Sequence, residues 1–258
     1  MAQPRVLVLR APGTNCDVET KFAFDQAGAS ADRVHVNRLR DNPALINDYQ
    51  ILCIAGGFSY GDDIAAGRIL GGQLQHDLGE VIKEFHSQEK LILGICNGFQ
   101  VLIKSGILIK DDQNGPQATL AWNDSGRFVD RWVHLKVEGE KCVFLRGIDR
   151  MFLPMAHAEG KFVTRDSDVL GSLDQSDRLC IRYCSADGSE ASGFPENPNG
   201  SISNVAGCCD ETGRVFGLMP HPERFLDPTN HPNWTRMSVL PEEGEGCAVF
   251  RNAVEFFA

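Results

Sequence analysis

The residue types and spacing most suggestive of chemistry surround Cys96. Residues 91–101 read Leu-Ile-Leu-Gly-Ile-Cys-Asn-Gly-Phe-Gln-Val, so an apolar run meets Gly94, then Cys96, then Gly98, and continues with helical spacing. This pattern predicts a strand, a sharp turn and a helix, with the spacing of a nucleophile elbow. A thiol at a helix N-terminus lies beside unpaired N–H groups, which favour the thiolate. A buried structural cysteine is the alternative, but the paired glycines favour a nucleophile.

A base for this thiol is offered by the segment Pro220-His221-Pro222-Glu223, which follows the apolar run 215–219. The two prolines stiffen the backbone and disfavour helix at His221. In an extended stretch, residues two apart leave on the same face, so Glu223 can orient the imidazole while its other nitrogen takes a proton from the thiol. The sequence therefore predicts a triad of Cys96, His221 and Glu223.

Two other sets of residues compete for these roles. Cys16 also lies at a predicted helix start, but it lacks flanking glycines, so we expect it to be structural or to line a pocket. His157 and Glu159 have the spacing of the His221 pair without its prolines. We expect them to form a pocket wall or to contact a partner.

The elements that must position these residues alternate between strands and helices. Strands are predicted at residues 5–10, 34–37, 51–55, 91–93 and 215–219, and helices at 18–28 and 73–86. This alternation predicts an α/β fold with a mostly parallel central sheet flanked by helices. Ligands bind such sheets beyond the carboxyl ends of the strands, where both Cys96 and the glycine-rich segment 56–63 would lie.

The second half of the chain changes character. Short strands are predicted at residues 132–137, 142–145, 161–164, 179–183 and 201–206. The length of 258 residues fits one large α/β domain. We therefore predict a single domain over residues 1–258, with residues 225–258 as its C-terminal extension.

Composition excludes several function classes. A formal net charge of -10 argues against a general nucleic-acid or membrane-surface binder, since both need a basic face. The Lys-Ser/Thr pair of a phosphate-binding P-loop does not follow the glycines at 56–61, so no nucleotide cofactor is expected on this chain.

Cysteine usage and the N-terminus bear on compartment and metal content. Nine cysteines cannot all pair within one chain, and no repeated Cys-x-x-Cys supports a zinc site, so no metal is expected. The chain enters a strand-like run without a secretory leader, and no apolar stretch has the length of a membrane span. These features favour a reducing cytoplasm.

With these motifs in order, the chain resembles the class I, or triad, glutamine amidotransferases. More narrowly, it is similar to the glutaminase components of phosphoribosylformylglycinamidine synthases in purine biosynthesis. The segments that carry the resemblance are residues 12–16, 56–62, 94–100, 127–128, 131–132, 157–160, 197–201 and 217–223. They span almost the whole chain, and the ordered set is far more specific than any one of them.

The resemblance implies roles for particular residues on a flavodoxin-like fold. Cys96 would be the nucleophile, His221 the general base and then acid, and Glu223 its orienter. The backbone N–H groups of Gly57 and Asn97 would form the oxyanion hole, which agrees with the position of Asn97 directly after an elbow nucleophile. Gln100, one helical turn on, would contact glutamine or support the elbow.

The resemblance also implies a partner. Glutamine would be hydrolysed here to glutamate and ammonia, and a large synthase subunit, with or without a small bridging subunit, would carry ATP and Mg²⁺ and accept the ammonia onto formylglycinamide ribonucleotide. Two alternatives stay open at this point. One is a cysteine peptidase or amidase with the same triad, and the other is a non-catalytic relative that acts as a binding protein.

Overall fold

The computed structural model describes residues 3–258 and is built around a nine-stranded sheet with a separate two-stranded sheet. The strands are β1 (Arg5–Arg10), β2 (Ser30–His35), β3 (Ile51–Ile54), β4 (Leu91–Ile95), β5 (Ala118–Ala121), β6 (Val129–Val137), β7 (Arg150–His157), β8 (Lys161–Thr164), β9 (Ile181–Cys184), β10 (Val205–Cys209) and β11 (Val215–Leu218). The large sheet has the order β2-β1-β3-β4-β11-β10-β9-β6-β7, and β5 pairs with β8.

The strands that position the candidate site are parallel. β2, β1, β3, β4 and β11 run side by side in the same direction, whereas the strands from β10 to β7 pair antiparallel. Every residue of β3 and β4 is buried, as expected for strands covered by helices on both faces. The predicted α/β fold, with further short strands in the second half, is confirmed.

Seven α-helices accompany the sheets within residues 3–258. They are α1 (Asp17–Gln26), α2 (Val36–Asp41), α3 (Arg68–Asp77), α4 (Gly79–Ser87), α5 (Asn97–Lys104), α6 (Ser167–Gln175) and α7 (Cys247–Glu255). α5 packs on β3, β4 and β11, and α3 covers it from outside. No helix in the described part of the chain is both long enough and apolar enough to cross a bilayer.

The strand predicted at residues 142–145 is wrong. Val143–Leu145 is a short 3₁₀ turn, in which the Val143 N–H donates to the Gly213 carbonyl at 3.0 Å. The side-chain amide of Asn252 donates to the Phe144 carbonyl, also at 3.0 Å. Because the turn's backbone groups are paired with a loop and with α7, this apolar segment is buried without joining the sheet.

Several other boundaries differ from their predictions: the strand predicted at 201–206 begins only at Val205, after a 3₁₀ turn at Ile202–Asn204. Two further differences lie in the first half of the chain. β2 ends at His35, whose Nδ1 accepts the Asn37 N–H at 3.2 Å and caps α2, so the predicted strand 34–37 stops early. The single helix predicted over 73–86 is two helices, α3 and α4, separated at Leu78, whose backbone (φ -127°, ψ 3°) is not helical. Neither change moves the strand ends that carry the candidate site.

The C-terminal segment packs into the same core as the sheet. Val249, Phe250 and Ala253 of α7 are fully buried. The Phe250 ring meets the Phe24 ring of α1 edge to face, with centroids 4.9 Å apart. This packing favours the interpretation of residues 225–258 as an extension of one domain.

Close contact between α5 and β3 depends on Gly98, and this yields a first prediction. A Cβ placed on Gly98 would lie 1.9 Å from the Ile54 carbonyl oxygen. We expect Gly98→Ala to lower the free energy of unfolding by about 1–3 kcal/mol or more, because the helix must move off the strand. Denaturant unfolding of the whole chain measures the change.

Gly72 of α3 provides the matched control. A Cβ there would meet no atom within 4 Å. Gly72→Ala should therefore raise the free energy of unfolding by about 0.5–1 kcal/mol through the unfolded state. Equal unfolding midpoints for the two variants would contradict the packing argument.

Candidate active site

Cys96 lies at a sharp turn between β4 and α5. Its φ of 51° and ψ of -104° are rare for a residue with a side chain, and such strain is found mainly where function requires it. The Cys96 N–H donates to the Leu218 carbonyl of β11 at 2.8 Å, which holds the turn against the neighbouring strand. The thiol therefore stands at the N-terminus of α5, in the geometry of a nucleophile elbow.

His221 and Glu223 follow β11, the parallel neighbour of β4. The expectation of an extended stretch here is wrong beyond His221, because Pro222–Arg224 forms a 3₁₀ turn that the proline starts. The two side chains still meet, with His221 Nδ1 2.6 Å from Glu223 Oε1. Both residues are almost completely buried, so the contact is shielded from water.

The charge of His221 is set by competing effects. Burial lowers its pKa, but the Glu223 carboxylate and the Cys96 and Cys16 thiols outweigh it, so the pKa lies well above its ordinary value. Within residues 3–258, His221 Nε2 has no hydrogen-bond partner. That nitrogen is available for proton exchange with a nucleophile or a substrate.

Gly57 and Asn97 supply backbone donors at adjacent strand ends. Gly57 follows β3 with φ +139°, and a Cβ there would come within 2.6 Å of the Asn15 nitrogen, so only glycine fits. Its N–H finds no acceptor in the described part of the chain. Asn97 is the first residue of α5, where the helix leaves N–H groups free. An oxyanion hole formed by these two donors stays a prediction.

Side chains of Asn97 and Gln100 tie the elbow to the glycine-rich loop. Asn97 Oδ1 accepts the Ser59 N–H at 3.1 Å, and its Nδ2 donates to Asp62 at 3.2 Å and to Gln100 Oε1 at 2.9 Å. Gln100 Nε2 donates to the Glu159 carbonyl. Because both ends of the Gln100 amide are engaged within the protein, the geometry favours support of the elbow over contact with substrate.

A cleft of about 260 Å³ opens beside the Cys96 thiol. It is lined by Gly57, Phe58, Gly61, Asp62, Ala66, Cys96, Gln100, Trp122, Ala156, His157, Ala158 and Glu159. His157 and Glu159 therefore lie in the expected pocket wall. They do not form a second dyad: Glu159 Oε2 accepts the Ala66 N–H at 3.2 Å and faces Lys104 Nζ at 3.7 Å.

His157 is a neutral hydrogen-bond acceptor in this wall. Burial and the nearby His221 lower its pKa to about 3. Its Nδ1 lies 3.1 Å from Asn123 Oδ1, which requires the proton on Nδ1 and leaves Nε2 as a buried acceptor without a partner among residues 3–258. Sequence reasoning gave Asn123 no role, because a contact across 34 residues leaves no local signal.

Cys16 lies close to the imidazole of His221. The ligand atoms of Cys16, His221 and Glu223 are all within 4.8 Å of one another, and Arg224 Nη2 donates to Cys16 Sγ at 3.1 Å. Burial raises the pKa of the Cys16 thiol despite the neighbouring cations. Together with its regular position before α1, this disfavours Cys16 as the nucleophile.

This elbow thiol, its carboxylate-bound imidazole and the adjacent donors suit acyl transfer from an amide, and sequence comparison points to the same class. The sequence model of the CobB/CobQ-like glutamine amidotransferase domain matches residues 3–257. The chain belongs to this family of glutamine amidotransferases.

Several similar proteins are subunits of phosphoribosylformylglycinamidine synthases. A phosphoribosylformylglycinamidine synthase subunit PurQ of Dehalococcoides mccartyi is 46% identical over 259 residues, which cover 99% of this chain and 98% of that protein. One from Archaeoglobus fulgidus is 40% identical, covering 98% and 96%. Among solved structures, a chain of PurLQS from Thermotoga maritima matches with a TM-score of 0.75 and 29% identity, and both chains are fully covered.

The electrostatic dependence of His221 on Glu223 yields a second prediction. Because the carboxylate raises the pKa of His221, Glu223→Gln should lower it and move the alkaline limb of the glutaminase pH profile to lower pH. The rate should fall by about 10²–10⁴-fold. NMR titration of labelled histidine gives the pKa without relying on activity.

Glu19→Gln is the matched control for this change. Glu19 faces Arg224 Nε of the same turn at 3.7 Å and makes no contact with the imidazole. The Glu19→Gln variant should have the rate of the wild type and an unshifted alkaline limb. An unmoved limb in Glu223→Gln would show that the carboxylate does not set the charge of His221.

Proposed function

We propose that Cys96 attacks the side-chain amide carbonyl of glutamine, with His221 and Glu223 as its base and orienter. The observation that carries this assignment is the placement of a strained elbow thiol and a carboxylate-bound imidazole at the ends of two adjacent parallel strands, β4 and β11. Within residues 3–258, no other cysteine combines such a turn with a neighbouring histidine and free backbone donors.

The reaction takes two steps. The Cys96 thiol passes its proton to His221 as its sulfur bonds to the amide carbon, and the N–H groups of Gly57 and Asn97 stabilise the oxyanion. The carbon–nitrogen bond then breaks, and ammonia leaves with that proton from His221. Water then gives a proton to His221 and attacks the thioester, and glutamate leaves as the thiol is restored. Each backbone donor can contribute about 3 kcal/mol to the stabilisation of the oxyanion.

The chain is the glutaminase subunit of a phosphoribosylformylglycinamidine synthase, and the ammonia is delivered to the synthase subunit that converts formylglycinamide ribonucleotide to formylglycinamidine ribonucleotide. Full-length similarity to PurQ subunits and to a PurLQS chain supports this assignment. ATP and Mg²⁺ are proposed to bind the partner, and a small bridging subunit to join it. A cytoplasmic location is proposed because nine free cysteines suit a reducing compartment.

The mouth of the cleft presents the surface that we assign to the partner. Phe58 and Trp122 line the cleft and are exposed, and the Phe58 ring lies 6.3 Å from the exposed Phe128 ring. Exposed apolar side chains grouped in this way are typical of protein interfaces. An interface here would cover the cleft while ammonia forms.

A third prediction separates this function from the cysteine peptidase or amidase alternative. A glutamine-mimicking chloroketone should label Cys96, and glutamine should protect against the label. Cys96→Ala should reduce glutaminase turnover by at least about 10³-fold, since it removes the nucleophile. Cys16→Ala, the matched control, should keep the labelling of Cys96. Mass spectrometry identifies the labelled residue.

Two results would contradict the assignment. Labelling that is indifferent to glutamine would favour a peptidase or another amidase. Labelling of Cys16 in place of Cys96 would show that Cys16 is the nucleophile. A non-catalytic relative would show neither labelling nor turnover, in isolation or with the partner.

A fourth prediction concerns coupling to the partner. Because free glutaminase would waste glutamine, the isolated chain should be weakly active and the complex strongly active. Phe128→Glu should weaken association with the large subunit, whereas Phe22→Glu on α1, also exposed and outside the cleft, should not. Full turnover by the isolated chain would overturn the coupling.

A further inference from the structure

Three cysteines that the glutaminase reaction does not use converge in the core. The sulfur atoms of Cys142, Cys180 and Cys209 all lie within 4.8 Å of one another, and all three residues are buried. Within residues 3–258, no histidine, carboxylate or fourth cysteine joins the group. Buried cysteines usually act as small apolar residues, but three sulfurs in mutual reach form a ligand set.

Backbone hydrogen bonds hold the three residues in place. The Cys180 carbonyl accepts the Glu138 N–H at 2.9 Å, the Cys209 N–H donates to the Arg178 carbonyl at 2.9 Å, and the Cys142 carbonyl accepts the Leu145 N–H at 3.1 Å. Each cysteine thus belongs to a separate, fixed part of the fold. The sulfurs are brought together by the scaffold before any ligand binds.

The cluster and the candidate active site lie at different ends of the central strands. Cys209 ends β10, which pairs antiparallel with β11 and reaches it through the turn before Val215. His221 follows the opposite end of β11, and Cys96 follows the same end of its parallel neighbour β4. The cluster and Cys96 therefore lie at opposite ends of these strands.

We propose that Cys142, Cys180 and Cys209 form a three-coordinate thiolate site for one soft d¹⁰ metal ion, of which monovalent copper is the physiological type. Three sulfurs bonded at about 2.3 Å to a central ion stand at most roughly 4 Å apart, so the cluster needs only a slight contraction. The absence of a fourth side-chain ligand among the described residues disfavours a tetrahedral zinc site.

Charge balance fits such an ion. Each thiol gives up its proton to solvent as it bonds to the metal, so the site gains three negative charges and the charge of the ion. The carboxylate of Asp210 and the ammonium group of Lys141 act on Cys209 with opposite sign, and Arg178 acts on the adjacent Cys208. These two cations offset part of the negative charge that remains on a thiolate-bound ion.

Cadmium(II) titration of the reduced, full-length chain tests the site, because thiolate-to-cadmium charge transfer absorbs in the ultraviolet. The titration uses wild type and a Cys16→Ala, Cys96→Ala variant, which removes the thiols near His221. In both we expect one tightly bound cadmium with three-sulfur coordination by ¹¹³Cd NMR, and a raised melting temperature. Monovalent copper should displace the cadmium.

Variants of single cysteines locate the ion. Cys180→Ala and Cys209→Ala should each weaken cadmium binding by at least about a hundredfold. Loss of an outer-shell partner can cost that much, and loss of a direct ligand should cost no less. Cys208→Ala is the matched control, since Cys208 is equally buried and directly adjacent but outside the cluster. It should bind cadmium like the wild type. Retained glutaminase activity shows that each single variant is folded.

Three outcomes would overturn the site. One is equal cadmium affinity in Cys208→Ala, Cys180→Ala and Cys209→Ala, which would indicate adventitious thiol binding. Another is absence of the three-sulfur resonance in wild type. The third is a disulfide between two of the three cysteines in protein purified without reductant, detected by mass spectrometry.

Discussion

The close approach of α5 to β3 is the contact on which the candidate site depends. With no side chain at Gly98, the first turn of α5 packs directly against the Ile54 carbonyl. The chain must reach this position from β4 within one residue, and Cys96 has the strained backbone of that turn. The bond from the Cys96 N–H to Leu218 then fastens the same turn to β11. One packing contact thus sets the thiol's position relative to two strands.

From that contact follows the placement of the other groups. β3 and β11 flank β4 in parallel, so their ends bring Gly57 and His221 to either side of Cys96. The side chain of Asn97 bonds the loop after β3 to the first turn of α5, so the backbone donors are held by hydrogen bonds as well as by the sheet. A preorganised site of this kind needs little rearrangement during the reaction.

Burial gives the two histidines of the site opposite character. His221 has a carboxylate 2.6 Å away that offsets its desolvation and raises its pKa, whereas His157 has only a neutral amide partner and its pKa falls to about 3. The His221 ring can therefore carry a positive charge at neutral pH, while the His157 ring stays neutral, donates from Nδ1 and keeps Nε2 as an acceptor. The difference comes from the neighbouring side chain, since both rings are equally shielded from water.

Local patterns of glycine, proline and apolar residues were enough to predict the class of fold, the elbow at Cys96 and the pairing of His221 with Glu223. Residues 142–145 show the limit: an apolar run has the same composition in a strand and in a buried turn, and contacts with α7 decided between them. Only the tertiary structure placed Asn123 on His157 and joined Cys142, Cys180 and Cys209. Such contacts join residues far apart in the chain, and their spacing carries no period or motif.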